Sequence, residues 1–142
     1  MDTINQLLNS KGSHVETIDG DATVYDALAV MAEMGIGALV VMQSGKPTGL
    51  FSERDYARNI ILKGRTSKET KVHEIMTAPV IVAHPEQSIE ECMAIMTEKR
   101  VRHLPVMQGE SLVGIISIGD LVKAIIENQQ FVIEQLVNYI NR

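Results

Sequence analysis

Two short segments carry residue types that can do chemistry together: Ser52-Glu53-Arg54-Asp55 and Ser117-Ile118-Gly119-Asp120. Each follows an apolar run that opens on a glycine, Gly49-Leu50-Phe51 and Gly114-Ile115-Ile116, and each leads into a helical pattern. A strand that passes through a small hydroxyl residue into a helix start presents free backbone amides and the positive end of the helix dipole, which suits an anion. An aspartate one turn further in has two acceptor oxygens, which suits a vicinal diol. Together the two features can hold a ribose and its phosphate. The same tetrad is also a capping box, in which serine and carboxylate satisfy each other's backbone amides. Recurrence does not separate these readings, because a duplication copies caps as faithfully as binding residues.

The elements that must position the tetrads are duplicated too. A shift of about 65 residues lays Ser52 on Ser117, Leu39 on Leu104, Gly49 on Gly114 and Asp55 on Asp120, a period longer than the common solenoid units. Each copy reads β-α-β-β-α. An extended stretch (15–18; 80–83) leads to a capping box, Thr23 with Asp26 and Ser88 with Glu91, that opens a helix reaching Met34 or Lys99. A β-rich run (38–42; 104–107), a turn and a third strand (48–51; 113–116) follow. A second helix then begins at Ser52 or Ser117 and ends near Lys63 or Glu127. This order predicts an α/β (α+β) class with a small mixed sheet per copy. The expected division is 1–14 as N-terminal helix and lead-in, 15–63 as the first repeat, 64–78 as linker and short helix, 79–128 as the second repeat, and 129–142 as a C-terminal helix. Residues 3–8 resemble 71–76, at a spacing three residues longer than the repeat. In the tail, Phe131, Val132, Leu136 and Ile140 form an apolar stripe that needs a partner surface.

Composition removes several function classes. The chain has 142 residues, with 13 Lys+Arg against 18 Asp+Glu and a net charge of −5. That balance argues against a sequence-independent grip on nucleic acid, and the basic residues of 63–71 are expected to face solvent. A single cysteine, Cys92, excludes an internal disulfide and a cysteine-rich zinc site; it reads as a small buried residue. His103 has no metal-ligand partner at ligand spacing. No secretory leader and no run long enough to span a bilayer is visible, so a cytoplasmic protein is expected. Neither paired carboxylates with an acid/base split nor a nucleophile beside a base can be found, so an enzyme is not expected. The chain has eight Met but no Trp, two Phe and three Tyr, so its core is expected to be aliphatic, with Met31, Met34, Met42, Met93, Met96 and Met107 mostly packed inside.

Three features together make the chain resemble a tandem pair of cystathionine-β-synthase (CBS) domains, a Bateman module. They are Glu74-Ile75-Met76-Thr77 before a repeat, Val101-Arg102-His103-Leu104-Pro105-Val106 in a second strand, and Gly-x-x-Ser-x-x-Asp at both strand-to-helix junctions. The resemblance implies a pseudo-twofold pair of repeats with clefts between them that bind adenosine-containing ligands: AMP, ADP, ATP, NAD or S-adenosylmethionine. It implies that Asp120 and Ser117 take ribose and phosphate at one site, with Val82, Ala83, His103, Leu104 and Pro105 around adenine and Arg102 beside the phosphate. At the other site it implies Asp55 and Ser52, with Thr17, Ile18, Ile36, Gly37 and Ala38. There Gly37-Ala38 replaces Arg102-His103, and Arg54 is the substitute cation. The expected function is a stand-alone sensor that binds such a ligand, pairs as a homodimer and signals to an unidentified partner protein. The alternative is a structural dimerisation module with vestigial pockets.

Overall fold

A computed structural model describes residues 1–141. The chain forms two compact units: Val15–Ile81, and Met1–His14 joined to the chain from Val82 onward. The architecture is mixed α/β, with one repeat and one small sheet in each unit.

In the first unit, β1 (Thr17–Asp19) runs parallel to β2 (Ala38–Gln43), which pairs antiparallel with β3 (Lys46–Ser52). Helix α2 (Val24–Met34) starts where the Thr23 hydroxyl accepts from the Asp26 amide, and it ends at Gly35 in the left-handed region. Its first two amides donate to the carbonyls of Thr70 and Ser67. The basic residues of this stretch, Lys63, Arg65, Lys68 and Lys71, are exposed as expected, while Thr70 among them is buried, Arg65 pairs with Glu74 and Lys68 lies over the Tyr25 ring. After β3 come α3 (Glu53–Tyr56), a π-helical turn Ala57–Ile61, and the short α4 (Val72–Ile75).

The second unit repeats this plan. Helix α5 (Ile89–Lys99) is capped by Ser88, whose hydroxyl accepts from the Glu91 amide, and β4 (His103–Gln108) pairs antiparallel with β5 (Ser111–Ser117). Both hairpins slip register at the same place, between Val41 and Met42 and between Val106 and Met107. The expected strand over 80–83 shrinks to one bridge, Ala83 with Val106. Pro79 and Pro85 flank it and have no amide to offer a ladder. Helix α6 (Ile118–Asn141) runs unbroken through the boundary expected at residue 128, since Asn128-Gln129-Gln130 contains no glycine or proline to stop it.

The cores correspond position by position. Val24, Ala27, Met31, Leu39 and Val41 are buried in one unit; Ile89, Cys92, Met96, Leu104 and Val106 are buried in the other. Of the methionines expected inside, Met31, Met96 and Met107 are buried, Met42 and Met93 are half-buried, and Met34 is exposed at the end of α2. Burial, and then the charge of Glu91, push the Cys92 thiol up to about 11, so it stays protonated at neutral pH.

The lead-in segments are exchanged relative to chain order. Helix α1 (Ile4–Lys11) precedes the first copy but packs in the second unit, where Thr3 bridges Ser88 and Asp2 accepts from the Ile89 amide. Helix α4 precedes the second copy but packs in the first, where Lys71 bridges Thr23 and Thr70 accepts from the Val24 amide. Each lead-in thus caps the first helix of the copy it does not precede. No helix among the described residues is long and apolar enough to cross a membrane.

Candidate functional site

At the β3–α3 junction, Ser52 keeps an extended backbone (φ −127°, ψ 166°) and caps α3. Its hydroxyl accepts from the Asp55 amide at 3.2 Å, while Asp55 Oδ2 accepts from the Ser52 amide at 2.9 Å and the Ser52 hydroxyl at 3.1 Å. Asp55 Oδ1 accepts from Thr77 Oγ1 at 2.8 Å, and Asp55 as a whole is only 9% exposed. Thr77 is held there by backbone pairing: its amide donates to the Leu50 carbonyl at 2.8 Å, and its carbonyl accepts from the Leu50 amide at 3.0 Å.

The β5–α6 junction has the same reciprocal cap. The Ser117 amide donates to Asp120 Oδ2 at 2.8 Å, and the Asp120 amide donates to the Ser117 hydroxyl at 3.1 Å. The third partner differs. Lys11, in the last turn of α1, donates from Nζ to Asp120 Oδ2 at 2.7 Å and to the Ile115 carbonyl at 2.8 Å. Leu50 and Ile115 are equivalent positions, so one ammonium does here what an amide and a hydroxyl of Thr77 do in the first unit. Burial raises the Asp120 carboxyl's pKa, but the Lys11 and Ser117 hydrogen bonds and the Lys11 charge outweigh it and hold the carboxyl below its ordinary value.

Both junctions therefore have capping-box geometry, and their first turns are less free for an anion than expected. The first amide of each helix is already bonded, Glu53 to the Gly37 carbonyl at 3.1 Å and Ile118 to the Arg102 carbonyl at 2.9 Å. The third amide is bonded to the serine. What remains chemically distinctive is the aspartate, an acceptor whose non-capping partner, a hydroxyl or an ammonium, is itself a group that an incoming diol can replace.

The pleat brings the second strands against these junctions: Ala38 pairs with Ser52, and His103 with Ser117. One strand further over, Thr17 and Ile18 pair with Val40 and Val41. Thr17, Arg54 and Arg102 are exposed, while Ile18, Ile36, Gly37, Val82 and His103 are half-buried. Ala38, Ala83, Leu104 and Pro105 are buried; Ala83 and Leu104 have no exposed surface, and the Ala83 amide and carbonyl are already bonded to Pro105 and Met107. His103 is a weaker phosphate cation than its residue type suggests. Burial pulls its imidazole below the ordinary value, and Lys11 and Arg102 add to this against the opposing pull of Asp120. Among the described residues no three of His, Cys, Asp or Glu gather as a metal-binding group.

Two partners of the aspartates escape sequence reasoning. Thr77 stands at the end of the Glu74-Ile75-Met76-Thr77 motif, but its reach to Asp55 depends on the pairing with Leu50. Lys11 lies before the repeat, and the only hint is that residues 3–8 echo 71–76.

Comparison with known proteins gives one family. The CBS domain matches residues 11–62 and 72–127. The chain is 39% identical to the mitochondrial CBS domain-containing protein CBSX3 of Arabidopsis thaliana, over 97% of this chain and 71% of that protein. It is 29% identical to the CBS domain-containing protein YhcV of Bacillus subtilis (strain 168), over 83% of this chain and 84% of that one. A solved structure from Burkholderia ambifaria MC40-6, described as a signal-transduction protein with CBS domains, superposes with a TM-score of 0.85 at 52% identity, covering 89% of this chain and 96% of that one.

Proposed function

The chain belongs to the CBS domain family, with two tandem copies, and from that premise we propose that it is a regulatory module for an adenosine-containing ligand. AMP, ADP, ATP, NAD and S-adenosylmethionine are the ligands considered, and the ligand state is passed to a partner protein. The observation that carries this reading is the duplicated aspartate at a strand-to-helix junction, each held by one exchangeable donor besides its cap. The ligand-facing set is Asp55, Ser52, Arg54, Thr17, Ile18 and the backbone of 36–38 at one junction. At the other it is Asp120, Ser117, Arg102, His103 and the backbone of 82–83 and 104–105. The single cysteine, Cys92, is a buried free thiol. A reducing, cytoplasmic setting suits that free thiol.

Mass spectrometry of ligand carried through purification, followed by isothermal titration with the five named ligands, tests the reading. Saturable binding that Asp120→Ala or Asp55→Ala weakens at least about tenfold is expected, the loss of a buried acceptor for the ribose. No saturable binding by folded protein overturns it.

A second reading, self-association, is favoured by the distal part of α6. Val132, Ile133, Leu136, Val137 and Ile140 are all exposed, and Glu134 is the one charged residue between Gln129 and Asn141. A stripe so apolar and so weakly charged suits a second copy of itself as its cover, and the homodimer we propose uses it. Ile133→Glu with Ile140→Glu should halve the mass seen by light scattering; an unchanged mass removes α6 from the interface.

A further inference from the structure

The two aspartates differ in what a ligand must displace. Thr77 reaches Asp55 from a segment fixed by two backbone hydrogen bonds to Leu50. Lys11 reaches Asp120 through its own side chain alone, a flexible four-carbon stem ending in three donors. The pair is only partly shielded, with side-chain exposures of 33% for Lys11 and 25% for Asp120. Beside it lies a cavity of about 80 Å³ whose lining includes Leu7, Lys11, Asp120, Lys123, Ala124 and Glu127. That space holds a few waters, not a nucleotide, and gives the ammonium room to move.

We propose that Lys11 sets the ligand preference of the Asp120 junction: it occupies the ribose-accepting carboxylate in the empty site and becomes the cation for the ligand's phosphate once the ribose displaces it. The proposal rests on the adenosine-ligand reading above and deepens it. A ribose diol donates to Asp120 in place of Lys11. The freed ammonium, still anchored in the last turn of α1, then pairs with the ligand's phosphate. A ligand without phosphate breaks the ion pair and offers nothing in return, whereas a nucleotide exchanges one charge partner for another. Phosphate recognition is thereby moved from the helix amides, which are largely bonded, to a side chain of α1. His103, mostly neutral near pH 7, does not duplicate this role, and Lys123 and Arg102 are the other cations nearby.

The test compares adenosine with AMP by isothermal titration on the full chain, for the parent, Lys11→Met and Lys11→Arg. Asp120→Asn run in parallel identifies the heat that belongs to this junction. Lys11→Met keeps the stem and removes the charge. It should bind AMP about tenfold more weakly, as expected for a lost charge-assisted contact. It should bind adenosine as tightly or up to about fivefold more tightly, the range open to release of a partly exposed ion pair. Lys11→Arg should keep the parent's preference for AMP. Equal changes for both ligands in Lys11→Met, or no change, overturn the proposal and leave Lys11 a tether for α1. Should Lys11→Met fail to fold, an Lys11→Arg variant that loses the AMP preference overturns it equally. If the parent binds neither adenosine nor any adenine nucleotide, the adenosine-ligand reading itself falls, an outcome distinct from an unchanged ratio.

Discussion

The two strand-to-helix junctions share a cap, a register and a neighbouring glycine, yet one aspartate is held by Thr77 and the other by Lys11. The difference arises in the lead-in helices. Helix α4 stops at Ile75, the chain becomes extended at Met76, and Thr77 zips onto β3 beside Leu50. Helix α1 continues to Lys11 before Gly12 ends it, and the Lys11 ammonium, rather than a lead-in amide, donates to the Ile115 carbonyl. The same duplicated fold thus makes one junction with a neutral, backbone-anchored donor and one with a charged donor on a flexible side chain. Equivalent residues in a repeat need not have equivalent ligands, because the third partner comes from outside the repeat.

The largest test of this contrast lies beneath the junctions. A Cβ on Gly49 would sit 2.7 Å from both the Thr77 carbonyl and Met76 Sδ, whereas one on Gly114 would meet only the end of the Leu8 side chain, at 2.7 Å. Gly49→Ala should therefore cost about 2–3 kcal/mol and Gly114→Ala closer to about 1 kcal/mol in urea unfolding, because a leucine tip can turn aside and a backbone carbonyl cannot. Equal losses would mean that the two lead-ins are held with the same rigidity.

Acid should separate the junctions next. The Asp120 carboxyl and the His103 imidazole both hold their protons less readily in the folded chain than their ordinary values of 3.8 and 6.5 imply. The stability each contributes is present above its unfolded value and is lost as pH falls through the lower folded one, so both act in the same direction. Of these two groups, only the histidine contributes between pH 7 and pH 5. The thermal midpoint should fall over that window in the parent and by less than half as much in His103→Gln. Lys11→Met should lower the midpoint between pH 7 and pH 5 by a constant amount and converge on the parent below about pH 4, where Asp120 takes its proton and the ion pair is lost. A parent midpoint that rises from pH 7 to pH 5 would contradict the assignment of a depressed imidazole.

The smallest effect concerns the ends of the matching helices. Helix α2 ends on Gly35 at φ 66°, but α5 ends on Arg100 at φ 56°, a left-handed conformation that costs a side chain more than it costs glycine. Arg100→Gly should raise stability by about 0.5–1 kcal/mol, and Gly35→Ala should lower it by a similar amount. A loss in Arg100→Gly would show that the arginine side chain has a role its backbone conformation conceals.

Much of the fold was legible because its signals are local. Thr23 and Ser88 announce their helices through hydroxyls that need only the next turn, and the apolar positions that fill the cores recur at helical and strand periods. The strand at 80–83 misled because its apolar residues fit a ladder while its flanking prolines do not. The break expected at residue 128 misled because a change of role along α6, from packed to exposed, leaves no mark on helix propensity. Of the candidate site, Ser52, Asp55, Ser117 and Asp120 were legible as a chemical unit, and their neighbours in β2 and β4 came from the resemblance to the CBS pair; register sets Ala38 beside Ser52 and His103 beside Ser117. The availability of the first-turn amides was not, since it depends on the carbonyls of Gly37 and Arg102.

By itself the sequence determined the duplication, the elements of each copy and the serine–aspartate cap, because each depends on residues a few positions apart. Tertiary structure decided which lead-in joins which copy, and hence which donor meets each aspartate. Lys11 and Asp120 are distant in the chain, and their meeting rests on closing a long loop and packing Leu7 and Leu8 into the second unit's core, which local spacing does not encode.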